Sequence, residues 1–455
     1  MFIGPRISIP RDPDVRRLSV AVLRAFLQLL IGLTGAFLTV MMIYQIVLSV
    51  VGFKKKTKDY ADHDPESRFL VLVPAHNEER VIGDIVRNLQ QMDYPKELYD
   101  FYIIADNCTD QTAELARSLG ANVIETRKER PDSPTGKPIA LKKALDELEG
   151  YQNKYDLMMI FDADNLMDLN MFREVNSQYL DKNKPDFIQC YLGCKNKKGA
   201  VAWVDYSSFT LTNRFFQLAK QRLGINSAIG GTGFAMSTEY LYSRGGWTTR
   251  SLTEDFEIQV EATFEGRRIL WNHNTSVYDE KPTRFRAILR QRNRWAQGRW
   301  YVTLHETRNL FRALIRGNIS VWEFLSILTH MYNNSVYVLM LLQSLATGLL
   351  QLITPGMVQQ AASFGSLLYS SLIFTYSYFF LFYYGDRVDN GVRFSAKTIP
   401  VMIVSFCVNM AVGMVSQFYG LLRWRHQQYW AKTEHAIAAE NAQGGNPMAV
   451  PQKAA

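Results

Sequence analysis

Two carboxylates separated by one residue are the first feature of this sequence that could do chemistry. Asp162 and Asp164 flank Ala163 directly after the apolar run 157–161. Hard divalent cations such as Mg²⁺ and Mn²⁺ prefer oxygen ligands, and one or two carboxylates with substrate phosphates form a common Mg²⁺ site. Asp residues are also typical of a strand-end turn or a helix cap. The pair alone leaves a metal site and a structural turn open.

A second acidic group, Thr253-Glu254-Asp255, stands just before the helical pattern 256–262. A carboxylate in this position is a candidate general base, which removes a proton from a reacting hydroxyl group. Acidic residues near the start of a helix also stabilise it, by about 1 kcal/mol, through capping and the helix dipole. The residues themselves leave the catalytic and the capping interpretations open.

Lys137, preceded by Gly136, stands before the helical pattern 139–147. A lysine near a helix N-terminus works against the helix dipole, and a phosphate partner would explain its place there. A solvated lysine is the alternative.

The run Gln291-Arg292-Asn293-Arg294-Trp295 combines amides, arginines and an aromatic ring ahead of the uncharged stretch 331–385. Arg and Trp close to a membrane segment are often interfacial anchors. Together with the carboxylates upstream, the run indicates chemistry carried out at a membrane surface. Both interpretations stand, because one helix could do both.

Short apolar runs bounded by turn residues predict buried parallel strands. They cover residues 69–73, 101–105 and 157–161. Helical patterns lie between them, at 78–91, 111–119 and 139–147. This alternation of strand and helix predicts an α/β domain with a parallel sheet.

Polar residues follow each predicted strand. They are His76-Asn77-Glu78, Asp106-Asn107 and Asp162-Ala163-Asp164. Because ligands of open α/β sheets bind at the carboxyl ends of the strands, these residues predict one polar pocket. The first strand is not followed by Gly-x-Gly-x-x-Gly or by a Walker lysine loop, which disfavours a dinucleotide or P-loop nucleotide site.

Long uncharged stretches in this chain of 455 residues predict a membrane protein. They cover 25–53, 331–385 and 398–422. Each can cross a hydrocarbon core, which needs about 20 apolar residues. Pro355 and Gly356 divide the second stretch into two spans, 334–354 and 362–384. One N-terminal span and three C-terminal spans are therefore expected.

The segment 319–333 is apolar but contains Glu323 and His330, and it predicts a helix lying on the membrane surface. Three lysines, residues 54–56, follow the first span and place 54–320 in the cytoplasm by the positive-inside tendency. Arginines before the same span compete with them, so the orientation stays open.

The net charge of +8 does not indicate nucleic-acid binding. Much of the excess lies beside membrane segments, where anionic lipid head groups attract Lys and Arg, and no nucleic-acid-binding motif is present. Cys190 and Cys194 lack a matching His or Cys pair for zinc, so unpaired thiols in a reducing cytoplasm are expected. The last residues, 436–455, have the composition of a disordered tail.

Taken together, the motifs make the chain similar to the membrane-integrated family 2 glycosyltransferases, which include bacterial synthases of cellulose, chitin-like oligomers, hyaluronan and poly-N-acetylglucosamine. The motifs are Pro74-Ala-His-Asn-Glu-Glu79, Ala105-Asp-Asn-Cys-Thr-Asp110, Asp162-x-Asp164, Thr253-Glu-Asp255 and Gln291-x-x-Arg294-Trp295. The resemblance covers residues 65–310 by motif. It implies a GT-A fold with a Rossmann-like mixed α/β sheet, inversion at the anomeric carbon, and a nucleotide-sugar donor.

For the donor, the resemblance implies that Ala75 and Glu78 line the nucleotide pocket and that Asp106 contacts the uracil. Lys137 would meet the diphosphate, and Asp162 would help to hold the donor.

The resemblance also implies a metal and a base. Asp164 would ligate Mg²⁺ or Mn²⁺, while Gln291 and Arg294 would hold the donor diphosphate region. Asp255, with Glu254 beside it, would take the proton of the acceptor hydroxyl group.

On the acceptor side, the resemblance makes Trp295 a platform under the acceptor sugar and places Gly231, Thr232 and Gly233 in the acceptor-side loop. That loop differs from the cysteine- or serine-containing loop of cellulose synthases. The identity of the sugar therefore stays open.

The implied domain plan has five parts. It consists of an N-terminal segment and span at 1–53, a cytoplasmic GT-A domain at 54–277, interfacial helices at 278–333, about three spans at 334–422, and a basic, disordered tail at 423–455. A bacterial inner membrane is the expected location.

The implied function is processive transfer from UDP-glucose or UDP-N-acetylglucosamine to a growing β-linked polysaccharide that is exported across the membrane. The alternative is a single transfer to a membrane lipid. The expected partners are the UDP-sugar, a glycan or lipid acceptor, membrane lipids, and accessory export or regulatory subunits, but no nucleic acid.

Overall fold

The computed structural model describes residues 13–353 and 375–427, apart from 129, 131–134, 334, 376 and 394. The chain divides into two compact units. The smaller unit takes in Met1–Ile46 and Ser335–Phe380, and the larger takes in Val47–Asn334 and Leu381–Ala455.

The larger unit is built on a mixed sheet of eight strands within the described residues. The strands are β1 (Phe69–Ala75), β2 (Tyr99–Asp106), β3 (Asn122–Thr126), β4 (Leu157–Ile160), β5 (Leu166–Met167), β6 (Phe187–Cys194), β7 (Phe234–Ser237) and β8 (Ile269–Asp279), in the order β3-β2-β1-β4-β7-β6-β8-β5. β1 pairs in parallel with β2 and β4, and β2 pairs in parallel with β3. The three predicted strands are therefore confirmed as parallel neighbours.

The second half of the sheet departs from the parallel pattern. β7 lies between β4 and β6 and runs antiparallel to both. β6 and β8 are parallel, with a register irregularity at Cys190/Tyr191. This arrangement brings the start of β7 beside the end of β4, so the loop 231–233 lies next to Asp162.

Fifteen α-helices lie within the described residues of the two units. They are α1 (Pro13–Gly52), α2 (Ile82–Gln90), α3 (Thr112–Ser118), α4 (Lys137–Glu147), α5 (Tyr151–Lys154), α6 (Met171–Asp181), α7 (Gly199–Thr212), α8 (Ala219–Arg222), α9 (Thr238–Ser243), α10 (Glu254–Phe264), α11 (Phe285–Ile315), α12 (Val321–Tyr332), α13 (Ser335–Ile353), α14 (377–390) and α15 (Ile399–Arg423). A π-helical segment, Asn213–Leu218, joins α7 to α8.

Alternation along β1 shows how the layers form. Val71 and Val73 pack with α2 and α6, whereas Leu70 and Leu72 pack with α4, α9 and α10. Side chains of a strand alternate between its two faces, so an all-apolar strand must be covered on both sides. The result is a three-layer α/β/α domain.

The second helix starts later than its sequence pattern predicts. The pattern begins at Glu78, but α2 begins at Ile82. Asn77 has a left-handed φ of 57°, and the Glu78 amide donates to Thr112 Oγ1 at 2.8 Å. The side chain of Thr112 in α3 therefore accepts a hydrogen bond from the Glu78 amide, a group that would otherwise be left unpaired near the start of a helix.

Three helices among the described residues are long and apolar enough to cross a membrane: Arg17–Gly52, Ser335–Ile353 and Ala396–Arg423. They coincide with three of the predicted spans. The fourth predicted span, 362–384, lies mostly outside the described residues. The predicted surface segment 319–333 contains α12, whose Phe324, Ile327 and Met331 pack against α10 and α11.

Candidate active site

The ends of β1 and β2 are tied together at the polar edge of the sheet. His76 Nδ1 lies 2.6 Å from the Asp106 carbonyl oxygen. Ala75 is buried, and Glu78 follows it in the turn that precedes α2. The structure therefore brings Ala75, Glu78 and Asp106 to the same edge, as predicted for a nucleotide pocket, while their individual roles stay predictions.

Asp106 has an oriented carboxylate. Its side chain is buried, and its Oδ1 accepts from Thr126 Oγ1 at 2.8 Å and from Asn107 Nδ2 at 2.6 Å. Asn107 adopts a left-handed φ of 51°, which Asn tolerates better than most residues. These contacts fix a hydrogen-bond acceptor at the carboxyl end of β2.

Lys137 is the centre of the site. Its Nζ lies 2.7 Å from Asp162 Oδ1, 2.5 Å from the Gly231 carbonyl oxygen and 3.7 Å from Glu254 Oε1. Burial alone would lower the pKa of Lys137, but the nearby charges of Asp162 and Glu254 outweigh burial and raise it. The carboxylates thus explain how a lysine occupies the first turn of α4 against the helix dipole.

The acidic pair opens α10. Glu254 and Asp255 occupy its first turn, and burial raises the pKa of both carboxyl groups. The charges of Lys137 and Arg294 oppose this rise. Glu254 is buried and Asp255 is half-buried, and the affinity of the pair for protons exceeds that of a solvated carboxylate.

The glycine-rich loop touches that pair. Gly231 has a φ of +79°, and a Cβ atom on it would lie 3.1 Å from Asp255 Oδ2. Thr232 Oγ1 donates to Asn165 Oδ1 and accepts from the Asp162 amide, the latter at 3.2 Å. The loop therefore connects the strand end that carries Asp162 to the acid pair on α10.

Gly233 closes the same loop. It has a φ of +62°, and a Cβ atom on it would lie 2.3 Å from Val277 Cγ1. Its amide donates to the Ile160 carbonyl oxygen at 2.9 Å. Only glycine meets both the backbone conformation and the close approach to β8.

The residues around Asp164 fit a divalent cation that takes most of its ligands from a substrate. Asp164 Oδ1 accepts from Asn165 Nδ2 at 3.1 Å, and Oδ2 accepts from the Glu280 amide at 3.2 Å. Burial, with a contribution from Asp164, raises the pKa of Asp279 to about 6. Oxygen donors of this kind suit Mg²⁺ or Mn²⁺. Among the residues that the structure describes, no group of three His, Cys, Asp or Glu is arranged to hold a metal.

The helix α11 carries Gln291, Arg294 and Trp295 towards α10. A Cβ atom on Gly298 would lie 2.6 Å from Thr253 Oγ1, so α11 rests on the residue at the N-cap position of α10, whose side chain makes no capping hydrogen bond. Positions 291, 294, 295 and 298 share one helical face. Arg294 is close enough for its charge to lower the pKa of Glu254 and of Asp255.

Arg299 is a site residue that the sequence motifs miss. Burial raises the pKa of Asp255, and the positive charge of Arg299 opposes that rise. Its Cζ lies 4.7 Å from the centroid of the Phe256 ring, and its Nη2 lies 2.6 Å from His330 Nε2. The signal in the sequence is its position one helical turn after Trp295 on α11.

The C-terminal helix packs on the opposite side of α11. A Cβ atom on Gly420 of α15 would lie 2.6 Å from the Ala296 carbonyl carbon. Beyond α15, Gln427 Oε1 accepts from the Leu252 amide at 2.8 Å, just before Thr253. A candidate membrane helix and the segment after it therefore contact both the Gln-x-x-Arg-Trp helix and the start of the acid motif.

Comparison with known proteins places this site in a family. Residues 65–298 match the model of the glycosyltransferase like family 2. The chain is 27% identical over 266 residues to a beta-monoglucosyldiacylglycerol synthase of Nostoc, covering 58% of this chain and 55% of that protein. It is 24% identical over 242 residues to a poly-beta-1,6-N-acetyl-D-glucosamine synthase of Staphylococcus aureus, covering 52% and 55%. The chain thus spans about half the length of these relatives.

Among solved structures, the fold is similar to that of a mannosyltransferase from Pyrobaculum calidifontis in complex with GDP-Man and Mn²⁺. The TM-score is 0.56 at 17% identity, over 87% of this chain and 99% of that one. This likeness and the family match confirm the predicted GT-A fold. The family model covers the strand ends, the acid pair and the Gln-x-x-Arg-Trp motif together, so the chain belongs to the glycosyltransferase like family 2.

Proposed function

We propose that this chain transfers a sugar from UDP-glucose or UDP-N-acetylglucosamine to an acceptor hydroxyl group, with inversion at the anomeric carbon. The observation that carries the proposal is the convergence on Lys137. Its Nζ contacts Asp162 at the end of β4, the carbonyl oxygen of Gly231, and Glu254 beside the candidate base. One cation therefore joins the donor side of the site to the acid pair.

The nucleotide would bind at the ends of β1 and β2. The fixed carboxylate of Asp106 is an acceptor suited to an N–H group of uracil. Ala75 and Glu78 would line the same pocket, since both stand at the carboxyl end of β1.

Departure of the diphosphate builds negative charge, which Lys137 and Arg294 are placed to stabilise, with Gln291 on the same helical face as Arg294. Asp162 would position Lys137 and the donor. Asp164 would hold a bound Mg²⁺ or Mn²⁺, which supplies positive charge to the phosphate oxygens.

Asp255 would take the proton of the acceptor hydroxyl group. Burial makes its carboxylate a stronger base than a solvated one, while Lys137 and Arg299 favour its ionised form. Glu254 would share the charge of Lys137 and so keep the lysine in place. A single base on the side away from the leaving group is sufficient for an inverting transfer.

The acceptor that the motif order favours is a growing β-linked polysaccharide exported through the membrane helices. Trp295 would support its terminal sugar, because the flat ring suits the CH-rich face of a sugar. The Gly231–Gly233 loop would line the acceptor side next to Asp255. Export and regulation would then involve accessory subunits.

A membrane lipid is the second candidate acceptor, and one contact favours it. The approach of Gly420 to Ala296 brings the backbones of α11 and α15 together, so no polymer passes between those two helices at that point. The similar Nostoc protein is named for a glucosyl lipid. A lipid hydroxyl group needs access only from the bilayer surface.

We place the protein in a bacterial inner membrane, with the GT-A domain in the cytoplasm and α12 at the membrane surface. The domain plan of the sequence is retained: span 1–53, GT-A domain 54–277, interfacial helices 278–333, spans 334–422 and tail 423–455. The three long apolar helices within the described residues support the membrane assignment.

The test is to incubate the purified protein with radiolabelled UDP-glucose or UDP-N-acetylglucosamine, Mn²⁺ or Mg²⁺, and lipid vesicles containing diacylglycerol. The product is then extracted and sized. A long, lipid-free polymer supports elongation, and one sugar on an extractable lipid supports the second acceptor. Absence of transfer from both donors to either acceptor would contradict the proposal.

A further inference from the structure

Arg292 has no proposed role in the Gln-x-x-Arg-Trp motif, and it lies between Asp205 and Trp295. Its Nη2 donates a hydrogen bond to Asp205 Oδ1, and its Cζ lies 4.8 Å from the centroid of the Trp295 ring. Asp205 belongs to α7, and its side chain is only 1% exposed. A buried carboxylate outside every sequence motif therefore holds the guanidinium that covers one face of the proposed acceptor platform.

Burial of the Asp205 carboxylate restricts the position of the Arg292 guanidinium. A carboxylate removed from water is stable only when it is paired, and Arg is the usual partner because its planar group forms directed hydrogen bonds. Asp205 and Arg292 are thus bound to each other across α7 and α11. Movement of the Arg292 guanidinium away from the Trp295 ring would strain or break its hydrogen bond to this buried carboxylate.

The geometry of the pair shows what orients it. Guanidinium and carboxylate groups commonly form two parallel hydrogen bonds. Here Arg292 Nε and Asp205 Oδ2 are buried without a partner. The guanidinium forms one bond to Asp205 and lies over the indole ring, a favourable cation–π arrangement. Arg292 is therefore held by one hydrogen bond to Asp205 and by its contact with the Trp295 ring.

A purely structural role would be to join α7 to α11. These helices already share an apolar contact with α15, formed by Val204, Ile288 and Val412. The ion pair is therefore one of two kinds of contact that join these helices. Its specific contribution is the contact with Trp295.

We infer that Asp205 is a positioning residue for sugar transfer: through Arg292 it fixes the Trp295 ring, so that the opposite face of the ring receives the acceptor. The inference rests on the proposed role of Trp295 as acceptor platform. Asp205 itself touches neither donor nor acceptor. Its loss should therefore weaken use of the acceptor and leave donor chemistry intact.

The test compares Asp205→Asn, Arg292→Lys and the double variant. The acceptor is dioctanoylglycerol or a chito-oligosaccharide, whichever the product-sizing experiment identifies. Each single variant should raise the acceptor KM by about tenfold, while the donor KM and donor hydrolysis change by less than about twofold. The double variant should be no worse than the worse single variant, because both changes break one chain of contacts.

Tyr206→Phe is the matched control. Tyr206 follows Asp205 on α7, and its hydroxyl group donates to Asp386 and accepts from Lys197 Nζ, the latter at 2.8 Å. The variant removes a buried contact of the same helix without touching Arg292. It should lower Tm and leave the ratio of acceptor KM to donor KM unchanged.

Trp295→Ala distinguishes a failure of the platform role of Trp295 from a failure of the positioning role of Asp205. If Trp295→Ala leaves the acceptor KM unchanged, the platform role fails, and the positioning role fails with it. If Trp295→Ala raises the acceptor KM but Asp205→Asn does not, only the positioning role is overturned. The positioning role would also be overturned if Asp205→Asn lost transfer and donor hydrolysis equally and its Tm fell as much as that of Tyr206→Phe.

Discussion

Gly298 of α11 lies directly against Thr253, the residue at the N-cap position of α10. A Cβ atom at position 298 would stand 2.6 Å from Thr253 Oγ1 and 2.8 Å from the Thr253 amide nitrogen. Glu254 and Asp255 follow Thr253, and Arg294 precedes Gly298 by one turn. This contact therefore sets the distance between the proposed diphosphate-holding arginine and the proposed base.

Gly298→Ala should separate these elements. The added methyl group has no room, and overpacking of this kind costs about 1–3 kcal/mol of stability. We expect a lower Tm and a transfer rate reduced by about tenfold or more, since small displacements of reacting groups are costly. Gly348→Ala is the control, because this helical glycine has no atom within 4 Å of an added Cβ. Equal activity of the two variants would contradict the importance of the contact.

Gly231→Ala should disturb Asp255 more than it disturbs the fold. The left-handed backbone conformation alone costs a non-glycine residue about 1–2 kcal/mol. The new methyl group would in addition stand 3.1 Å from Asp255 Oδ2. Gly246→Ala has a similar φ of +83° and nothing within 4 Å, so it carries the strain without the contact. We expect Gly231→Ala and Gly246→Ala to lower Tm by similar amounts, and only Gly231→Ala to lose transfer. Retained transfer in Gly231→Ala would argue against a base at Asp255.

Arg299→Gln should move the acid limb of the pH–rate profile to higher pH. Burial already raises the pKa of Asp255, and the charge of Arg299 lowers it, so removing that charge raises it further. A base works only when ionised, hence activity is lost at a higher pH as the solution is acidified. Arg312→Gln, near the exposed end of α11, should leave the limb in place. An unchanged limb in Arg299→Gln would show that Arg299 does not act on the base.

Asp164→Asn should weaken the metal dependence of nucleotide binding. Isothermal titration of UDP with and without Mn²⁺ provides a readout that does not depend on activity. The wild type should bind UDP more tightly with Mn²⁺, and the variant should lose most of that difference, because one anionic oxygen ligand is gone. Asp146→Asn, whose carboxylate pairs with Lys142 at an exposed site, is the control. A full Mn²⁺ effect in Asp164→Asn would exclude Asp164 as the ligand.

The parallel half of the sheet could be predicted because its strands are continuous apolar runs that end in polar residues. Every residue of β1 and β4 is apolar, and the polar residues that follow these strands led to the prediction of a pocket. β8 carries no such signal. It contains Asn272 and His273, both buried, and their polar atoms bond to Tyr60 and to Asp389 from distant parts of the chain. Tertiary partners stabilise such a strand, and they leave no local pattern.

The residues of the candidate site also fall into those that the sequence indicates and those that only the fold brings together. Residues inside motifs, such as Asp162 and Asp255, could be named from spacing and resemblance. Arg299 and Asp205 lie outside the motifs, and their relevance depends on which helices meet: α11 with α10 for Arg299, and α7 with α11 for Asp205. Lys137 lies between these cases. The helix dipole indicated an anionic partner, and in the structure that partner is the pair of carboxylates of Asp162 and Glu254.

The central claim is that Asp255 removes the acceptor proton, and Asp255→Asn tests it most directly. The amide keeps the size of the side chain but cannot take a proton. Transfer from the UDP-sugar should fall by about a thousandfold or more, while the Kd for the UDP-sugar measured on the same preparation stays within about threefold of wild type. Transfer at the wild-type rate with unchanged donor binding would contradict the account.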